Sequence, residues 1–160
     1  ANSFQGVARP GQRGGAMGAP LETAMTPDAT NAGTPTGTPL LLLRLEGAAT
    51  LLAATAGFAA LGGSWWLYAA LILAPDLAML GYLGGPRAGA ALYNAAHVTL
   101  GPLALGALAW ALGSTVLGGI ALVWLAHVGL DRMAGYGLKY ASGFGATHLS
   151  VIGARGPATP

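Results

Sequence analysis

Asn94 and His97 stand three residues apart and His127 and Asp131 four apart, spacings that put each pair on one face of a helix. An aspartate one turn from a histidine can hold the imidazole in a fixed orientation. Asp76 and Glu46 add two further carboxylates in otherwise apolar sequence. The sharp reading is a buried site in which His97 and His127 face a cavity, with Asp76, Asp131 or Glu46 as proton acceptors or metal ligands. The plain reading is a structural network in which Arg44 and Arg132 neutralise Glu46, Asp76 and Asp131 while the histidines bond to backbone carbonyls. Both remain open at this point.

Other chemistries lack their residues. The chain has no cysteine, which removes disulfides, thiolate nucleophiles and cysteine-ligated metals. No Ser-His-Asp spacing, Gly-x-Ser-x-Gly elbow or phosphate loop occurs. A net charge of +2 without a basic, aromatic-interleaved stripe gives no support for nucleic-acid binding. The sequence requires no cofactor, and the balance is against an enzyme.

The elements that must position these groups are membrane spans. Of 160 residues, 54% are hydrophobic and 8% charged, against roughly a quarter charged in soluble domains. Nearly all the apolar residues fall within residues 40–133, which leaves room for one compact domain. A bilayer core about 30 Å thick needs about 20 apolar residues per helix. Four such stretches are present, at residues 40–61, 64–83, 88–112 and 114–133, divided by Gly62-Gly63, Gly84-Gly85-Pro86-Arg87 and Gly113-Ser114. Breaks this short predict an all-α, up-down four-helix bundle in the membrane. Pro75 is expected to kink the second span.

Charge sets the orientation. Arg9, Arg13, Arg44, Arg87, Arg132, Lys139 and Arg155 all fall on one side of these spans, and the other side carries none. Trp65, Trp66, Tyr68 and Trp110 lie near the charge-free ends as an interfacial belt. Both termini are therefore expected in the cytoplasm, with the protein multi-pass in a bacterial cytoplasmic membrane. The polar residues Arg44, Glu46, Asp76, Tyr93, Asn94, His97, His127, Asp131 and Arg132 then share the cytoplasmic half of the bilayer. Ionisable groups there are costly unless they face one another inside the bundle.

Residues 1–39 are rich in Gly, Pro, Ala and Thr and cannot close a core. Arg9 and Arg13 precede no apolar run, so the tail does not read as a signal peptide. It reads as a solvated linker, as an upstream extension of the reading frame ahead of Met17 or Met25, or as a segment that wraps a partner protein. Residues 134–160 read as a cytoplasmic segment in which Tyr136, Lys139, Tyr140 and His148 cap the mouth of the bundle.

Specific strings add to this reading. Leu42-Leu43-Arg44-Leu45-Glu46-Gly47, Ala74-Pro75-Asp76-Leu77, Gly85-Pro86-Arg87, Tyr93-Asn94-Ala95-Ala96-His97, Trp124-Leu125-Ala126-His127, Asp131-Arg132, Gly135-Tyr136-Gly137-Leu138-Lys139-Tyr140 and Thr147-His148-Leu149 occur in this order. Together they resemble the small bacterial membrane family catalogued as domain of unknown function 4260, over about residues 40–153. The resemblance implies a four-helix inner-membrane protein whose hallmark residues are Arg44, Glu46, Asp76, Asn94, His97, His127, Asp131 and Arg132. It carries no activity.

Three functions are expected in competition. The first is a non-enzymatic accessory or structural subunit of a larger membrane complex of respiratory or photosynthetic type, with the tail laid on a membrane-protein partner. The second is an oligomeric small-molecule, ion or proton transporter using the polar cluster. The third is a haem-, pigment- or metal-binding bundle with His97 and His127 as ligands. An enzyme acting on a lipid or other apolar substrate is the remaining alternative.

Overall fold

The computed structural model describes residues 35–142, 145 and 147–149. The N-terminal tail and the last residues, with the partner-wrapping expectation attached to the tail, lie outside these. The described chain is helical. In order it forms α1 (Gly37–Ala60), α2 (Trp65–Leu71), a 3-10 helix (Ala74–Gly84), α3 (Pro86–His97), α4 (Leu100–Ala111) and α5 (Thr115–Ala134). Among the described residues there is no strand, only an isolated antiparallel bridge between Lys139 and Thr147.

Two of the expected spans depart from a continuous α-helix, and proline explains both. Pro75 has no N–H to give the α-helical ladder, so the second span leaves α geometry ahead of it and continues as a 3-10 helix. An 11-residue 3-10 run is far longer than the usual three or four. The expected third span, residues 88–112, is two helices. Val98 is extended at φ −79° and ψ 135°, and Pro102 cannot donate to the Val98 carbonyl one turn back. The Gly101 N–H approaches that carbonyl instead, at 3.4 Å, as α4 begins.

α5 is the organising helix. The Ser114 hydroxyl accepts the Leu117 N–H at 3.3 Å at its start, and Gly135 closes its end at φ +92°, in the left-handed region. α1 runs antiparallel to α5 with backbones almost touching: a Cβ on Gly129 would lie 2.6 Å from the Leu51 nitrogen, and one on Gly47 2.5 Å from the Met133 nitrogen. α4 folds back along the same helix, with Gly101 under Trp124 and Gly106 facing Ala121. The 3-10 helix and α3 form an antiparallel hairpin in which Gly81 admits Leu92 and Gly89 admits the Tyr82 ring.

Three stretches are long and apolar enough to cross a membrane: Gly37–Ala60, Trp65–Gly84 and Thr115–Ala134. Their outer faces are apolar and open, as at Leu52, Leu80 and Val116. The core they enclose is thin and made of small residues such as Ala54, Ala90, Ala121 and Ala126, closed by Phe58 and Val123. Phe58 stacks edge-on with Trp65 and Tyr68 at the charge-free end.

Candidate metal centre

Three elements converge on one point. α3 buries Gly89, Ala90, Tyr93 and His97, a single helical face that delivers His97 at its last residue. α5 presents His127 and Asp131 one turn apart. The 3-10 helix brings Asp76 from its first turn. With 1.5 Å of rise per residue, Asp131 and His127 lie about 5 and about 10 Å inside the end of α5.

The donor atoms of Asp76, His97, His127 and Asp131 all lie within 4.8 Å of one another. His97 Nε2 is 3.0 Å from His127 Nε2. Asp76 Oδ1 stands 3.4 Å from the first and 3.6 Å from the second; Asp131 Oδ2 stands 3.5 and 3.9 Å from them. Four ligands on a tetrahedral zinc ion at about 2.0–2.2 Å are separated by about 3.3–3.6 Å. The observed spacings bracket that value. The imidazoles are buried, at 3% and 1% side-chain exposure, Asp131 is at 17%, and Asp76 is open on one side at 38%.

The surrounding groups orient the donors. The His97 Nδ1–H donates to the Tyr93 carbonyl at 2.8 Å, which leaves Nε2 of the neutral ring as a bare lone pair aimed at the centre. The Tyr93 hydroxyl donates to Asp131 Oδ2 at 2.9 Å, and its ring stacks on His97 at 3.7 Å between centroids. His127 Nδ1 is buried and has no hydrogen-bond partner among the described residues.

The remaining sequence candidates have other tasks. The Asn94 side chain grips the backbone of Lys139, accepting its N–H at 2.7 Å and donating to its carbonyl at 2.9 Å. Arg44 donates to the Met133 carbonyl at 2.8 Å and so caps α5, and Arg132 donates to the Thr99 hydroxyl at 2.9 Å. The expected neutralisation of Asp76 and Asp131 by these two arginines is not what forms. Both aspartates instead stand within ion-pair distance of His97 and His127. Glu46 is exposed and lines a separate cleft of about 110 Å³ with Arg132 and His148. The His148 ring accepts the Leu138 N–H at 2.8 Å and is not one of the four convergent donors.

Two residues of the site were not among the candidates. In the sequence Tyr93 reads only as one more polar residue in an apolar span, although it stands one helical turn before His97. Lys139 reads in the sequence as a topological charge in an interfacial loop, yet it is 7% exposed, with its ammonium 4.7 Å from the Tyr93 ring centroid and 5.9 Å from that of Tyr82. Burial pushes its ammonium below the ordinary lysine range, while Asp131 and Asp76 pull it back up.

The four donors lie within the part of the chain, residues 40–152, matched by the family model described as Domain of unknown function (DUF4260). No curated protein and no solved structure matches the chain. The match takes in more than half of the sequence and, but for the first three residues of α1, every helix described above, and the chain belongs to the DUF4260 family.

Proposed function

We propose that this chain is a four-span membrane protein with both termini cytoplasmic, and that it holds one divalent transition-metal ion through Asp76, His97, His127 and Asp131. The observation that carries the reading is the near-tetrahedral set of donor separations, 3.0 to 3.9 Å for the five involving imidazole nitrogen. Two imidazoles with two carboxylates suit zinc, and the all-nitrogen and oxygen set disfavours ions that seek thiolate. α3 and α4 together form the third span, which keeps every Lys and Arg of the spans and their loops on one side and favours the cytoplasmic orientation.

The haem or pigment alternative finds less support. Axial ligands of a porphyrin iron approach from opposite faces with the macrocycle between them. Here two carboxylates stand against the same nitrogens, in the space that a macrocycle needs. The half-exposed Asp76 supports a second reading, in which the ion is cargo that reaches the cluster past this carboxylate. Retention separates the two: a resident ion survives dialysis against a mild chelator, and a transported one equilibrates and crosses liposomes.

The test is metal analysis of the purified, folded protein. One equivalent of zinc or a similar ion is expected in the native sequence, and less than about a tenth of that in His97→Ala and in His127→Ala, since even loss of a supporting group commonly weakens affinity 10–100-fold. A native protein that stays metal-free after incubation with zinc, cobalt and manganese would sink the reading.

A further inference from the structure

Lys139 is an unusual companion for such a cluster. It follows α5 in a segment that could leave its charge in solvent, yet the chain buries it to 7% exposure. Its backbone is fixed on both edges. Asn94 of α3 holds its N–H and its carbonyl, and the bridge to Thr147 lies on the other side, with the His148 ring and backbone bonded to Leu138. The ammonium is thereby set over the Tyr93 ring, whose hydroxyl is bonded to Asp131. Through that ring the ammonium stands beside the Asp131 edge of the ligand set, and the charges of Asp131 and Asp76 both favour its protonated form.

Charge counting gives this placement a consequence. Two carboxylates balance a divalent ion, and two neutral imidazoles add nothing. Lys139 then leaves the filled centre with one net positive charge, in surroundings of low dielectric where such a charge strongly favours an incoming anion. We infer that Lys139 is the anion-binding arm of the metal centre, and that the site takes a ligand bearing a phosphate-type oxyanion. One oxygen approaches the ion from the Asp76 side and another accepts from the ammonium. The depth of the cluster, about 5 to 10 Å inside the end of α5, is within reach of phosphate groups at a membrane surface as well as of phosphate from solution. This inference rests on the metal reading above.

Cobalt(II) provides the readout, because its visible d–d bands report coordination directly. The cobalt-loaded full chain in detergent is titrated with inorganic phosphate, and separately with dihexanoyl phosphatidic acid against dihexanoyl phosphatidylcholine. The bands are expected to shift with phosphate or with phosphatidic acid. A shift with phosphatidic acid at lower concentration than with inorganic phosphate marks the lipid headgroup as the source, and the reverse marks a soluble one. In Lys139→Met the apparent affinity is expected to fall about tenfold or more, the worth of one charge-assisted hydrogen bond, and Lys139→Arg is expected to restore most of it. Unchanged cobalt bands of the ligand-free variants show that the centre itself is intact. Bands that ignore every anion, or a Lys139→Met variant that binds as the native chain does, would overturn the inference while leaving the metal reading standing. Absence of any cobalt band would overturn both.

Discussion

The Nε2 atoms of His97 and His127 face each other at 3.0 Å across the contact between α3 and α5. Because His97 Nδ1 donates its proton to the Tyr93 carbonyl, Nε2 of the neutral ring has none, and only a proton from His127 or a cation can occupy the space between them. Two carboxylates within 3.9 Å of the same nitrogens make the cation the better match.

Tyr93 supports the centre twice, through its carbonyl to His97 and its hydroxyl to Asp131. Phenylalanine keeps the stacked ring and the backbone bond and removes only the hydroxyl. Tyr93→Phe is therefore expected to retain the fold and to weaken zinc binding about 10–100-fold, measured by competition with a chromophoric chelator. An unchanged affinity would mean that Asp131 needs no orienting donor.

Asn94 acts on Lys139 through two backbone hydrogen bonds. Asn94→Ala removes both, at about 1 kcal/mol each, and the segment around Lys139 should open correspondingly more often. Trypsin cleavage after Lys139 is expected to accelerate on the order of tenfold or more, as followed by mass spectrometry. Equal rates in both proteins would show that other contacts hold the segment.

At Gly129 the backbones of α1 and α5 almost touch, with the Leu51 nitrogen and the Gly47 carbonyl 2.6 and 2.9 Å from where a Cβ would stand. Backbone cannot yield as a flexible side chain does. Gly129→Ala is expected to cost about 1–3 kcal/mol by forcing the helices apart, read as a lower unfolding midpoint in detergent. Gly106→Ala on α4 meets only the Ala121 methyl at 3.8 Å and serves as the control with little effect.

The absence of native cysteine makes topology directly accessible. Single cysteines at Arg87 and at Leu112 occupy opposite ends of the α3–α4 unit. In intact cells an impermeant maleimide is expected to label Leu112→Cys and to spare Arg87→Cys until the membrane is opened. The opposite pattern would invert the orientation, and labelling of both from one side would contradict a crossing by this unit.

The four donors could be picked from the sequence because charged and imidazole side chains are expensive in apolar segments, and His127 with Asp131 could be paired by their spacing alone. Depth along a helix does not fix direction around it, so Arg44, Glu46 and Arg132 share the depth of the cluster in the sequence although they turn to α5's end, a side cleft and Thr99. The meeting of Asp76 with His97 depends on the 3-10 rise of the second span, about 2.0 Å per residue against 1.5 Å in an α-helix, and no periodicity announces that change. The break at Val98 did have a signal, Pro102 four residues later, hidden by the even apolar character of the stretch. Lys139 was invisible as a site residue because what places it is a tertiary grip by Asn94, 45 positions away.

The most direct examination of the centre is X-ray absorption at the zinc edge of the purified, zinc-loaded protein. A first shell of four nitrogen and oxygen scatterers at about 2.0–2.1 Å, with the outer-shell pattern of two imidazoles, is the expected result, and in His97→Ala one imidazole should disappear from it. A zinc shell without imidazole, or an edge no larger than that of a variant lacking both histidines, would contradict the assignment of Asp76, His97, His127 and Asp131 as a metal site.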